Sequence, residues 1–270
     1  MELTYVLKGD LIAFLTITVP ECVASSVTGS SPGPTSRRSR LSARRSKNWD
    51  DRVAELEQLA STPGFSSLRE QIIALGRLNR NDRVLDIGAG TGLLALAAAP
   101  RARHVCALDV SPAMCRHLEA KLARLPIANV DVVLGMANDL PLDDESVDVV
   151  LSNYCFHHLS DAGKRQALDE VRRVLRPGGR LVIGDMMFHV GLSGARDRAL
   201  IARFVARMLR RGPAGALRLL KNAIRHVAGR GEHPAGADWW RRALEDVGFA
   251  EITVRALDHE GGIAVARRNR

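Results

Sequence analysis

From Trp49 onward the apolar positions recur first at helical and then at strand spacing. Val53, Leu56, Leu59 and Ala60 share one helical face, and after the Pro63-Gly64 break Leu68, Ile72, Ile73 and Leu75 share another. The apolar run 83–87 reads as a strand ending in a glycine cluster, and 93–99 is an unbroken stretch of helix formers. The alternation then repeats, with strands at 104–108, 130–135 and 147–153, helices at 112–125 and 162–175, and a strand at 180–184. Arg176-Pro177-Gly178-Gly179 is expected to stop the preceding helix and turn the chain back. The β-rich runs 251–256 and 262–266, separated by the polar turn 257–261, predict a hairpin that puts an antiparallel end on a mostly parallel sheet. Strands alternating with helices in this way describe a doubly wound α/β fold.

Charge divides the chain more sharply than hydropathy does. The 270 residues are 46% hydrophobic and carry a net charge of +9, enough apolar material for one sizeable core with appendages. Residues 1–47 hold seven basic and three acidic groups, whereas 48–188 are net −3. Residues 189–238 carry ten basic against three acidic groups, and 239–270 are nearly balanced. The expected organisation is therefore a disordered basic leader at 1–47, a core at 48–188 with helices before the first strand, a basic helical lid at 189–238, and a closing helix and hairpin at 239–270. The leader contains a short apolar run, 11–19, too short to span a bilayer, and a small-residue stretch at Val23-Ala24-Ser25. Glu2 and Asp10 flank the run where a secretory signal needs positive charge, so a leader or an upstream start is the expectation. Cys22, Cys106, Cys115 and Cys155 lack the spacing of a disulfide framework or a zinc knuckle, which suggests a reducing, cytoplasmic setting and no metal.

In the lid, Leu200, Ile201, Phe204, Val205 and Met208 form an apolar face opposite Arg203, Arg207, Arg210 and Arg211. After Gly212-Pro213 the pattern repeats, with Leu217, Leu220, Ile224 and Val227 opposite Arg218, Lys221 and Arg225. Two readings stay open: a cap with solvated arginines, or a peripheral membrane contact through 196–230 that serves a lipidic substrate. Aromatics make up only 4% and no RNA-binding module is recognisable, which argues against nucleic acid as the partner. The oligomeric state is not encoded in any of these patterns.

Candidate chemistry concentrates at the ends of successive strands. In Asp86-Ile87-Gly88-Ala89-Gly90-Thr91-Gly92 the alternate glycines let a strand turn sharply into a helix and let backbone approach a ligand. A dinucleotide fingerprint would place its third glycine where this chain has Leu93. Asp86 suits a ligand with an ammonium group. Asp109, 17 residues after Gly92 at the end of the next strand, is placed to accept ribose hydroxyls, or else caps the helix that follows Ser111-Pro112. Gly135-Met136-Ala137-Asn138-Asp139 and Ser152-Asn153-Tyr154-Cys155-Phe156-His157-His158 leave the next strands on the same rim.

VLDIGAGTG, LDVSPAM, ANDLPLDDESVDVV, SNYCFHHLSD and LRPGGRLVIGD occur in succession between Arg83 and Asp185. In this order and spacing they resemble the class I S-adenosylmethionine-dependent methyltransferases, in particular the branch that modifies small molecules, quinones and lipids. The resemblance implies a Rossmann-like sheet of seven strands with S-adenosyl-L-methionine as cofactor and a small molecule as methyl acceptor. It implies cofactor contacts from Asp86, Gly88, Ala89, Gly90, Gly92, Asp109, Met136, Ala137, Asn138 and Asn153, with Val110 and Met114 sandwiching the adenine. Many relatives have Gly-Asp-Ala where this chain has Gly135-Met136-Ala137, so the carboxylate facing the adenine amino group is missing and Asn138 or Asp139 is expected to substitute. The chain also lacks the Asn/Asp-Pro-Pro-Tyr tetrad of exocyclic base methylation. If the acceptor must lose a proton, His157, His158 and Tyr154 are the nearest candidates, with His157 and Tyr154 the catalytic choices; packing or capping is the alternative for each histidine. Two other functions remain open: a noncatalytic module that binds S-adenosylmethionine or S-adenosylhomocysteine and docks to membrane or RNA, and an NAD(P)-dependent oxidoreductase. Trp239 and Trp240 are read as acceptor-pocket or core residues, and His259 and Glu260 as turn residues.

Overall fold

A computed structural model of the chain describes residues 49–60, 63–188, 194–217, 219–220 and 232–270. The leader, and Arg218, Lys221, Ile224, Arg225 and Val227 of the second lid helix, lie outside the described residues. Two helices, α1 (Val53–Ala60) and α2 (Pro63–Gly76), precede strand β1 (Arg83–Ile87). Then follow α3 (Leu93–Ala98), β2 (His104–Asp109), α4 (Pro112–Leu122), β3 (Val130–Leu134) and β4 (Val147–Asn153). A single 3-10 turn, Phe156–His158, leads into α5 (Asp161–Val174) and β5 (Leu175–Met186). The chain continues through α6 (Ala195–Leu209) and α7 (Ala237–Val247) into β6 (Phe249–Ala256) and β7 (Gly261–Arg268).

The strands form one seven-stranded sheet in the order β3-β2-β1-β4-β5-β7-β6. β1 to β5 run parallel and β7 pairs antiparallel with both β5 and β6, so the expected hairpin closes the sheet. The order reverses direction on either side of β1, between β2 and β4. Open α/β sheets bind ligands at such a switch, outside the carboxyl ends of the strands.

Side-chain alternation on the strands feeds two apolar layers. Leu85, Ile87, Val150, Leu181 and Ile183 pack with Leu168 and Val171 of α5 and Trp240 and Leu244 of α7. Val84, Val149, Leu151 and Val182 pack with Leu68 and Ile72 of α2, Leu94 and Ala95 of α3 and Leu118 of α4. Because residues two apart share a face of a strand, Asp86 lies on the second face with Val84, beneath α3.

The strand that follows α5 differs from expectation. β5 begins at Leu175, not Arg180, because Leu175 already pairs with Val147 and the Pro-Gly-Gly segment is absorbed as a register shift before Arg180 pairs with Val149. Gly178, at φ 77°, supplies the left-handed step that the irregularity needs. A corresponding shift in β6 between Ala250 and Thr253 places Glu251 at φ 49°.

Candidate functional site

The glycine turn is held by the end of β2. Gly88 and Ala89 donate their amides to the Leu108 carbonyl at 2.8 and 2.9 Å, and the Gly90 amide donates to Asp109 Oδ2 at 2.8 Å. All three glycines take positive φ, but they face different surroundings. A Cβ at Gly88 would lie 2.5 Å from Cys155 Sγ, and one at Gly92 would collide with Leu118. A Cβ at Gly90 would meet nothing nearer than a carbonyl oxygen at 4.0 Å. Gly90 therefore presents the open face of the turn, whereas Cys155, just after β4, packs against Gly88 and Leu118 of α4 packs against Gly92. Ala89 is 6% exposed and belongs to the core, so its side chain supports the turn from below.

Asp86 lies under this turn with 1% exposure. One of its carboxylate oxygens is buried without a hydrogen-bond partner. Burial pushes its pKa up to about 7, against the pull of the Ala95 amide and with a smaller push from Asp109. A buried carboxylate in this state gains from any cation that reaches it.

Asp109 closes β2 with both oxygens engaged by backbone, Oδ2 by Gly90 and Oδ1 by the Ser111 amide at 2.9 Å. Capping of α4 falls instead to Ser111, whose Oγ accepts the Met114 amide at 3.2 Å. These two amides fix the carboxylate at the rim beside the open face of Gly90.

Of the two residues expected to sandwich the adenine, Met114 is buried on α4, 1% exposed. Exposed apolar side chains on this part of the rim include Val110 at 42%, Leu134 at 57% and Met136 at 37%. Their strand ends are joined by the Gly135 amide to the Asp109 carbonyl at 2.9 Å. Residues 136–139 close into a tight turn through the Asp139 amide and the Met136 carbonyl at 3.1 Å. Ala137 packs at the edge of the core, Asn138 turns its amide to Gln166 of α5 at 3.4 Å, and Asp139 is exposed.

At the end of β4, Asn153 Oδ1 is buried with no hydrogen-bond partner. The next residue, Tyr154, sits at φ 53°, a strained conformation for a non-glycine side chain. Burial, with Glu260 and Asp185 nearby, raises its phenol above the usual range, so it stays protonated. His157 is 4% exposed, and its Nδ1 lies 2.5 Å from Asp185 Oδ1 at the end of β5. The His157 amide donates to the other oxygen of the same carboxylate at 3.0 Å. Tyr154 and His157 meet edge to face with ring centroids 6.2 Å apart, so the structure brings the two catalytic candidates together.

Sequence reasoning missed Asp185 and Glu260. The signal for Asp185 was an acid at the carboxyl end of a core strand; Glu260, 8% exposed in the β6 to β7 connection, looked like a turn residue. Trp240 packs in the core against Phe156 at 5.6 Å, and Trp239 receives Lys164 and Arg165 over its ring. Both tryptophans thus join α7 to the body of the fold. A cavity of about 350 Å³ opens elsewhere, among Met187, Phe188, Arg196, Asp197, Asp238 and Ala256, and shares no lining residue with the glycine turn.

A switch-point crevice with a glycine turn, an acid after β2 and an antiparallel seventh strand defines the class I methyltransferase architecture. Residues 84–179 match the model of the methyltransferase domain family, and the fold is the Rossmann-like one of class I S-adenosylmethionine-dependent methyltransferases. An uncharacterised methyltransferase of Mycobacterium bovis is 46% identical over 99 residues, covering 37% of each chain. A demethylmenaquinone methyltransferase of Clavibacter sepedonicus is 42% identical over 103 residues, 38% of this chain and 40% of that one. The chain thus spans about two fifths of the length of these curated relatives. A Haemonchus contortus phosphoethanolamine N-methyltransferase, solved with phosphomonomethylethanolamine and S-adenosylhomocysteine, shares the fold at TM-score 0.63 and 16% identity, covering 88% of this chain and 61% of its own.

Proposed function

We propose that the protein transfers the methyl group of S-adenosylmethionine to a small-molecule acceptor. The observation that carries this reading is Asp109, fixed by two backbone amides beside the open face of Gly90. The residues present suit the cofactor: Asp86 and Asn153 each bury an oxygen without a protein partner, and a Cβ at Gly90 would enter the free space. Asp109 would take the ribose hydroxyls, Asp86 and Asn153 the amino-acid end, and Val110 with Met136 the faces of the adenine. When bound, the cofactor supplies an electrophilic methyl on sulfur. The remaining work is alignment and exclusion of water, for which a preorganised, largely buried rim is suited. On the acceptor side His157 is held in one orientation by Asp185, and the protonated Tyr154 is a hydrogen-bond donor.

The finer reading is a lipidic or quinone-like acceptor reached through the basic segment. Its support is the resemblance to a demethylmenaquinone methyltransferase together with Leu209, Leu217 and Leu220, each more than half exposed, near exposed Arg210 and Arg211. Among the described residues no helix is long and apolar enough to cross a membrane.

Label transfer from methyl-labelled S-adenosylmethionine to a panel of phenols, carboxylic acids, amines and quinols tests the proposal. Incorporation into at least one acceptor is expected. Binding of S-adenosylhomocysteine with no incorporation across the panel would support a noncatalytic module, and thermal stabilisation by NAD(P)H alone would support an oxidoreductase.

A further inference from the structure

We propose that His157, His158 and Glu232 form a binding site for a divalent transition-metal ion. One potential ligand atom of each lies within 4.8 Å of the other two. The cluster joins distant parts of the chain, the 3-10 turn after β4 and the segment before α7. A backbone hydrogen bond holds them together, from the His233 amide to the His157 carbonyl at 2.7 Å. Glu232 is thereby delivered to the histidine pair by fixed backbone.

Asp185 gives the site its direction. With Nδ1 of His157 bonded to the carboxylate at 2.5 Å, Nε2 is the nitrogen that remains to ligate. A carboxylate behind an imidazole is the arrangement that orients metal-bound histidines and raises their basicity. The His157 and Asp185 side chains are 5% and 1% exposed, so this orientation is locked by packing. The His158 ring centroid lies 3.8 Å from that of His157 and 4.5 Å from that of Trp49.

Two imidazole nitrogens and one carboxylate oxygen favour zinc, cobalt, nickel or ferrous iron over magnesium and calcium, which prefer oxygen ligands throughout. Ligand bonds of ~2.1 Å in a tetrahedron place donor atoms roughly 3.4 Å apart, so binding asks the three groups to close by about an ångström. Three protein ligands leave a position open. An oxygen or nitrogen of the methyl acceptor would fit there, since the cluster follows β4 on the same rim as Asn153. That use of the open position rests on the methyl-transfer reading; the metal site itself does not.

The untagged full chain, stripped with chelator, is titrated with Co²⁺ and followed by visible absorption, then challenged with Zn²⁺. Calorimetry with S-adenosylhomocysteine runs in parallel. One Co²⁺ per chain is expected, displaced by one equivalent of Zn²⁺. Glu232→Gln, which keeps the side chain's shape, is expected to weaken cobalt binding by at least tenfold, and Asp185→Asn by roughly ten- to a hundredfold. No cobalt spectrum in the wild-type chain, or an affinity unchanged in Glu232→Gln, overturns the site. Loss of the cobalt signal with S-adenosylhomocysteine binding intact counts against the metal alone, whereas absent S-adenosylhomocysteine binding counts against the methyl-transfer reading.

Discussion

At the scale of single residues, the buried Asp86 couples ligand binding to pH. Its pKa is about 7 in the fold against an ordinary value of 3.8. Well below pH 3.8 the group is protonated whether the chain is folded or not. As pH rises from there to about 7 the unfolded chain ionises while the folded one does not, so stability falls over that window and levels off above it. A ligand ammonium beside the carboxylate reverses the balance by favouring the ionised form. Binding of S-adenosylhomocysteine at pH 6 is therefore expected to release up to one proton, measurable by calorimetry in buffers of different ionisation enthalpy. Asp86→Asn is expected to be no less stable than wild type at pH 8, yet to bind about ten- to a hundredfold more weakly, the scale of one lost charge-assisted hydrogen bond. Proton release unchanged in Asp86→Asn would assign it to another group.

The glycines make a second contrast at this scale. Gly90→Ala enters open space, so its stability cost is only the about 1–2 kcal/mol of placing a side chain at φ 53°, while S-adenosylhomocysteine affinity is expected to fall at least tenfold. Gly88→Ala drives a methyl group against Cys155 and should cost about 1–3 kcal/mol of stability, read by denaturant unfolding. The repeating glycines were legible in the sequence, but their separate tasks were not. Gly88 needs its neighbour across 67 positions of chain, and no local pattern announces Cys155. The burial of Met114 was hidden for a related reason: periodicity places it on α4 without saying which neighbour covers it.

Among elements, strand and helix alternation could be read because each strand buries an apolar run and each connection carries its own turn chemistry. The start of β5 could not. Arg176-Pro177-Gly178-Gly179 has the local composition of a stop, and only pairing with β4 makes it an irregular strand. The pairing of His157 with Asp185, 28 residues apart, likewise appears only when β4 and β5 lie side by side. Element α6 is docked by a residue that periodicity assigned no task. Arg196 donates to the Leu257, Met187 and His259 carbonyls at 2.8, 3.0 and 2.5 Å, tying the helix to the ends of β5 and β6. Arg196→Met is expected to lower stability by about 1.5–3 kcal/mol and to speed amide exchange first in 194–209. Exchange in that segment unchanged from wild type would show that the helix is held by its apolar face alone.

For the whole molecule, charge and chemistry are separated along the sequence. The acid-rich core, net −3, carries the crevice, while the basic excess sits in the leader and in 189–238. If the exposed leucines and arginines after α6 meet a membrane, cosedimentation with vesicles should rise with anionic lipid and fall when Leu209 and Leu217 are replaced by Asn or when Arg210 and Arg211 are neutralised. Partitioning indifferent to all these changes would leave the segment as a solvated cap. The assignment as a whole turns on the nucleoside crevice, and calorimetric titration of the wild-type chain and Asp109→Ala with S-adenosylhomocysteine probes it most directly. Single-site binding by the wild type and a loss of at least tenfold in the variant is the expected result. No binding by the wild type, or equal affinity in the two proteins, would contradict it.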